Sequence, residues 1–179
     1  HNFGYMVTDE IARRYGFSAP KTRFQGLLAE GRIDSARVII LKPTTFMNES
    51  GQSVGEAACY FKIEPEKITV FHDELDLAAG KVRVKLGGGH AGHNGLRSLD
   101  SHLGKEYWRV RLGIGHPGDR HVVQSHVLKD FSKAEKAWVD DVVDAVTDAA
   151  PYLTKDDPDG FMTRVALLTK PDRPNSTKQ

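Results

Sequence analysis

The sequence predicts a single α/β domain: a twisted, mixed β-sheet flanked by helices. Three observations predict it. Strand-like and helix-like stretches alternate along most of the chain, the pattern that packs helices onto the faces of a sheet. Two stretches, KVRVKL from Lys81 and WRVRLGIG from Trp108, alternate polar and apolar residues, which favours mixed over purely parallel pairing. The chain has 179 residues, 39% hydrophobic and 27% charged, which suits one domain with a full core.

The elements follow in order. Phe3, Val7 and Ile11 recur at spacing four ahead of Gly16, an amphipathic helix with a glycine stop. ARVIILKP, from Ala36, reads as a buried strand ended by Pro43. Ser53 to Phe61 reads as a helix, and ITVFHDEL, from Ile68, as a strand running into a polar turn. KVRVKL is a half-buried strand that leads into the glycine-rich KLGGGHAGHNGL, after which Gly95 to Leu103 can be helical. WRVRLGIG is the next strand. Ser132 with Glu135 forms a capping-box pattern, and Val139, Val142, Val146, Ala149 and Leu153 continue it as a long helix. The domain is expected over residues 1–170, with a flexible polar tail over 171–179.

Composition narrows the function class. The net charge is only +1, but it is polarised. Residues 81–120 hold eight Lys/Arg against three acids, and residues 132–160 hold three Lys against eight acids. A basic middle of that kind suits a polyanionic partner. No apolar run approaches the roughly 20 residues of a membrane span. The one cysteine, Cys59, cannot form an intrachain disulfide, which suits a reducing cytosol.

Four polar clusters stand at predicted element edges: His1-Asn2, TTFMNESG with Asn48, FHDELDL with Asp73, and GGHAGHNG with His93 and Asn94. Ligands of open α/β folds collect at strand ends. A neutral histidine can take a proton from water, a carboxylate can fix its tautomer, and carboxamides can donate to an oxyanion. Plainer readings stand beside these. Asn48 and Asn94 fit ordinary turns, His72 and Asp73 fit a solvated strand end, and His1 fits a tag remnant. The glycine loop lacks the Lys-Ser/Thr end of a phosphate cradle, and the dinucleotide pattern laid on Gly87, Gly89 and Gly92 follows the wrong kind of strand. A metal at His90 and His93, with His72-Asp73, has no rigid platform, and none is expected. Lys81, Arg83 and Lys85 share one strand face; Arg109 and Arg111 share another. Beside the glycine loop they read as a phosphate-binding surface, or as a solvated sheet face.

KPTTFMNESG, FHDELDL, KLGGGHAGHNGL and RLGIGHPGD, in this order and spacing, resemble the motifs of the bacterial-type peptidyl-tRNA hydrolases. The resemblance runs from His1 to at least Leu153. It implies an esterase that cleaves the bond between a peptide and the terminal ribose of tRNA. It implies His1 as the base that activates water and Asp73 as the group that orients it. Asn48, Asn94, His93, Phe46 and Met47 would bind the substrate, and Lys85 and Arg111, with Arg83 and Lys81, would hold tRNA phosphate. It implies no cofactor and no metal, and peptidyl-tRNA as partner. A monomer is expected because no exposed apolar stripe is evident, and a cytoplasmic setting is expected with it. The alternative is a non-catalytic RNA-binding protein on the same fold. The family also carries a strand and a Gly-Asn-Pro-Gly turn ahead of this histidine. The sequence begins at His1, so the expected fold lacks that N-terminal strand.

Overall fold

The computed structural model describes residues 2–118 and 130–170. His1 and the expected tail over 171–179 lie outside the described residues. Among the described residues, five helices and six strands form the domain. They run α1 (Phe3–Arg14), β1 (Lys21–Arg23), β2 (Gly26–Ile33), β3 (Ala36–Pro43), α2 (Ser50–Phe61), β4 (Thr69–Glu74), β5 (Val82–Leu86), α3 (Asn94–Leu103), β6 (Trp108–Gly113), α4 (Lys133–Thr154) and α5 (Pro158–Leu168).

The strands make two small sheets rather than one. β1, β2 and β3 form an antiparallel meander, while β6 lies between β4, which runs parallel to it, and β5, which runs antiparallel. The mixed pairing predicted from the two alternating strands is therefore present in the second sheet. That sheet divides two cores. On one face Phe71, Val82, Val84, Val110 and Leu112 meet α1, α4 and α5. On the other, Val70 meets Leu96 and Leu99 of α3, together with Tyr107.

Helix α1 buries the spaced residues, Phe3, Val7 and Ile11, and no others. Phe3 is fully buried, edge-on to Phe131 and Trp138. Ser132 and Glu135 make the expected reciprocal capping box at the start of α4. β3 is only half-buried, not buried as its apolar run suggested, because β2 is its one partner among the described residues. Helix α2 begins at Ser50, three residues before the expected start, because a 3-10 turn over Met47–Glu49 feeds into it.

Two close approaches fix the helices on the second sheet. A Cβ on Gly4 would stand 2.6 Å from the Phe71 carbonyl oxygen, so α1 lies with its backbone directly on β4. A Cβ on Gly51 would stand 2.2 Å from the Ser98 carbonyl oxygen, and the Gly51 N–H donates to Ser98 Oγ at 2.8 Å. Helices α2 and α3 are thereby joined backbone to backbone, which draws TTFMNESG and GGHAGHNG together.

Candidate active site

Between β3, α2, β4 and α3 lies a cavity of about 460 Å³. Its walls include Asn2, Met47, His72, Asp73, His93 and Leu96. Strand β4 is the hinge of the arrangement. Side chains alternate along a strand, so Asp73 faces α1 while His72 faces α3, and both reach the cavity along one edge.

Asp73 meets the start of α1, where its carboxylate accepts from the Phe3 backbone N–H. A helix N-terminus offers unpaired N–H groups and a positive dipole end, which favour an anion. Burial is the stronger influence and raises the carboxyl pKa to about 6. Asp73 is thus ionised at neutral pH and close to its titration point, unlike a solvated carboxylate.

The two histidines are held in defined tautomers. His72 Nδ1 lies 2.9 Å from its neighbour's carbonyl oxygen, which can only accept, so Nδ1 carries the proton. Burial lowers the His72 pKa to about 4. The reading of His72 as a solvated residue is therefore corrected: it is buried beneath α3, at 6% exposure. His93 caps α3, its Nδ1 accepting from the Leu96 N–H at 3.2 Å. Its proton is then on Nε2, and burial lowers its pKa as well. The two rings meet edge to face, 5.3 Å between centroids. Both are neutral at pH 7, one offering a ring lone pair and the other a ring N–H.

The remaining predicted residues surround this centre. Met47 packs over α3, where a Cβ on Gly95 would stand 2.7 Å from its sulfur. Phe46 and Met47 are 79% and 60% exposed, so they present an apolar surface beside the cavity. Asn48, in the 3-10 turn, and Asn94, the first residue of α3, are exposed and do not line the cavity itself. The glycine loop precedes His93, and its residues 87–92 do not line the cavity. Gly88 has φ +104, a region that favours glycine, and the Lys85 side chain folds over it, with Nζ 2.7 Å from where a Cβ would stand. His90 Nδ1 accepts from the Gly92 N–H within the same loop. Among the described residues no group of three His, Cys, Asp or Glu could hold a metal.

The basic stripe is split. Lys81, Arg83 and Lys85 are exposed, as strand alternation predicts. Arg109, paired with Lys85 across the sheet, is instead buried at 2% exposure. It donates to Asp100 Oδ1 at 3.0 Å and to the Gly89 carbonyl at 3.0 Å, and Tyr107 donates to the same Asp100 oxygen at 2.8 Å. This network ties the glycine loop to α3 and β6. No sequence pattern marked it, because Asp100 and Arg109 are joined only once the helix folds back on the strand. Arg111 is bound to Glu74, Nε to Oε1 at 2.8 Å. Burial opposes the Glu74 charge, but the Arg111 hydrogen bond and charge, with the Asp76 N–H, outweigh it and lower its pKa.

The sequence matches the family described as peptidyl-tRNA hydrolase over residues 1–174. It is 59% identical over 173 residues to a protein of Dinoroseobacter shibae named peptidyl-tRNA hydrolase, covering 97% of this chain and 74% of that one. A protein of the same name from Rhodospirillum centenum is 55% identical over 173 residues, covering 97% and 76%. Among solved structures, the peptidyl-tRNA hydrolase of Acinetobacter baumannii superposes with a TM-score of 0.87 at 38% identity, over 92% of this chain and 85% of that one.

Proposed function

The chain belongs to the peptidyl-tRNA hydrolase family, and from that premise we propose how its cavity cleaves the ester between a peptide and the terminal ribose of tRNA. The chain is an enzyme, and its reaction is the hydrolysis of peptidyl-tRNA.

In this reading His1 is the general base. It takes a proton from water as the water oxygen attacks the ester carbonyl carbon. The bond to the ribose oxygen then breaks, and the proton passes to that oxygen as the leaving group departs. Asp73 orients the imidazole and offsets the positive charge it gains. Asn48 and Asn94 carry carboxamides toward the peptide and the scissile ester. His93, the neutral cap of α3, offers its Nε2–H at the cavity wall. Phe46 and Met47 supply apolar contact for the peptide. Lys81, Arg83, Lys85 and Arg111 face the tRNA phosphates, and no metal takes part. A monomer working in the cytoplasm is the setting this reading carries. Supporting it, the substrate arises at the site of translation.

One observation carries the catalytic assignment: the half-buried Asp73 carboxylate lines the cavity and accepts from the backbone two residues along the chain from His1. The experiment is His1→Ala, assayed for peptidyl-tRNA hydrolysis and, separately, for binding of deacylated tRNA. Loss of turnover with binding intact is the expected result. Unchanged turnover would take the general-base role away from His1.

A further inference from the structure

Four cations of β5 and β6 stand opposite one another, Arg83 against Arg111 and Lys85 against Arg109. Cross-strand partners project from the same face, so all four crowd one surface. Their fates differ. Arg109 is consumed by Asp100 and the glycine loop. Arg83 and Lys85 are exposed. Arg111 is intermediate: its side chain is 27% exposed, and it meets Glu74, which lies deeper at 13%.

The geometry of that contact is specific. Glu74 engages Nε, at the inner edge of the guanidinium, through Oε1, while its Oε2 accepts from the Asp76 N–H at 3.4 Å. A guanidinium is planar, so fixing Nε fixes the plane in which its terminal nitrogens lie. An acid that competed with phosphate would take the outer, solvent-facing fork. This one holds the inner edge from below.

We propose that Glu74 is a positioning residue for RNA: it holds Arg111 by Nε so that the terminal nitrogens form a preset fork for a phosphate beside Arg83 and Lys85. The proposal rests on the reading of this face as the tRNA-phosphate surface. Presetting a long side chain removes the ordering cost that phosphate binding otherwise bears. It also offsets the repulsion between Arg83 and Arg111 in the free protein.

The test is binding of deacylated tRNA between about 50 and 200 mM salt. The proteins are the wild type, Glu74→Gln, Glu74→Ala, Arg111→Ala, Arg111→Lys and the Glu74→Ala/Arg111→Ala double variant. Glu74→Ala is expected to weaken binding about three- to tenfold. Glu74→Gln, whose amide oxygen still accepts from Nε, stays within about twofold of wild type. The alanine change at Glu74 adds nothing once Arg111 is alanine. Arg111→Lys keeps the charge but loses the fork and weakens binding as Glu74→Ala does. Glu74→Ala binding as well as or better than wild type overturns the proposal, because Glu74 is then a competitor or a bystander. Equal losses in Glu74→Gln and Glu74→Ala overturn it too, leaving only charge neutralisation. Should Glu74→Ala fail to fold, Arg111→Lys decides: wild-type binding there overturns the proposal. Wild-type affinity and salt slope in Arg111→Ala would instead sink the underlying reading of this face.

Discussion

Asp73 and His72 are neighbours on one strand, and burial drives their proton affinities in opposite directions, to about 6 and about 4. The consequence for stability can be worked out. The folded pKa of Asp73 lies above its ordinary 3.8, so the folded protein takes up a proton between about pH 4 and 6. Asp73 therefore favours folding below that window and loses this contribution as pH rises. The folded pKa of His72 lies below its ordinary 6.5, so the unfolded chain gains the proton first, and stability is lost as pH falls from 6.5 toward about 4. The two slopes oppose each other. Asp73→Asn should thus raise stability at pH 7, by on the order of 2 kcal/mol. It should also steepen the loss between pH 6.5 and 4, because His72 is then unopposed. Urea unfolding at several pH values measures both. At this scale the sequence was partly legible. Asp73 and His93 could be selected because their motifs carry the chemistry. The burial of His72, and the partners of Arg109 and Arg111, depend on which helix covers which face, and no spacing encodes that.

At the scale of elements, the site depends on backbone-to-backbone packing where a side chain has no room. Gly4 brings the start of α1, with the Phe3 N–H, onto β4 and Asp73. Gly4→Ala must push α1 away from the Phe71 carbonyl, so it should cost about 1–3 kcal/mol and lower turnover in the folded protein. Ser132→Ala removes the cap of α4, none of whose residues lines the cavity. It should cost about 1 kcal/mol and leave turnover of the folded protein unchanged. Thermal unfolding paired with initial rates separates the two variants. α1, β5, α3, β6 and α4 were legible from their period, and β4, half-buried along most of its length, from its apolar run ending in a polar turn. The β1–β2–β3 meander was seen only as β3. Its turns run through Phe24, Gln25 and Asp34 at φ between +53 and +55, where glycine would have marked them. The apolar run of β2 is broken by Glu30, Gly31 and Arg32, though the strand is continuous. α5 was also missed, its pattern being short and starting at Pro158 after an aspartate cap.

At the scale of the whole molecule, the basic middle and the acidic later part form a charge gradient across one domain. The exposed cations at and beside β5, Lys81, Arg83 and Lys85, precede the glycine loop that leads to His93 and Asn94. Lys85→Ala should weaken tRNA binding across sequences and flatten the plot of log affinity against log salt by about one unit. An unchanged slope would make this face merely solvated. The central claim is that a half-buried carboxylate on β4 serves a base at the start of α1, inside the cavity that α3 and the Met47 turn enclose. Its most direct measurement is single-turnover release of tRNA from an N-blocked aminoacyl-tRNA by the wild type and Asp73→Asn, with binding of deacylated tRNA followed in parallel. The account predicts a rate lowered by about 10²–10⁴ in Asp73→Asn, with tRNA affinity and fold retained. Hydrolysis by Asp73→Asn at the wild-type rate would contradict it.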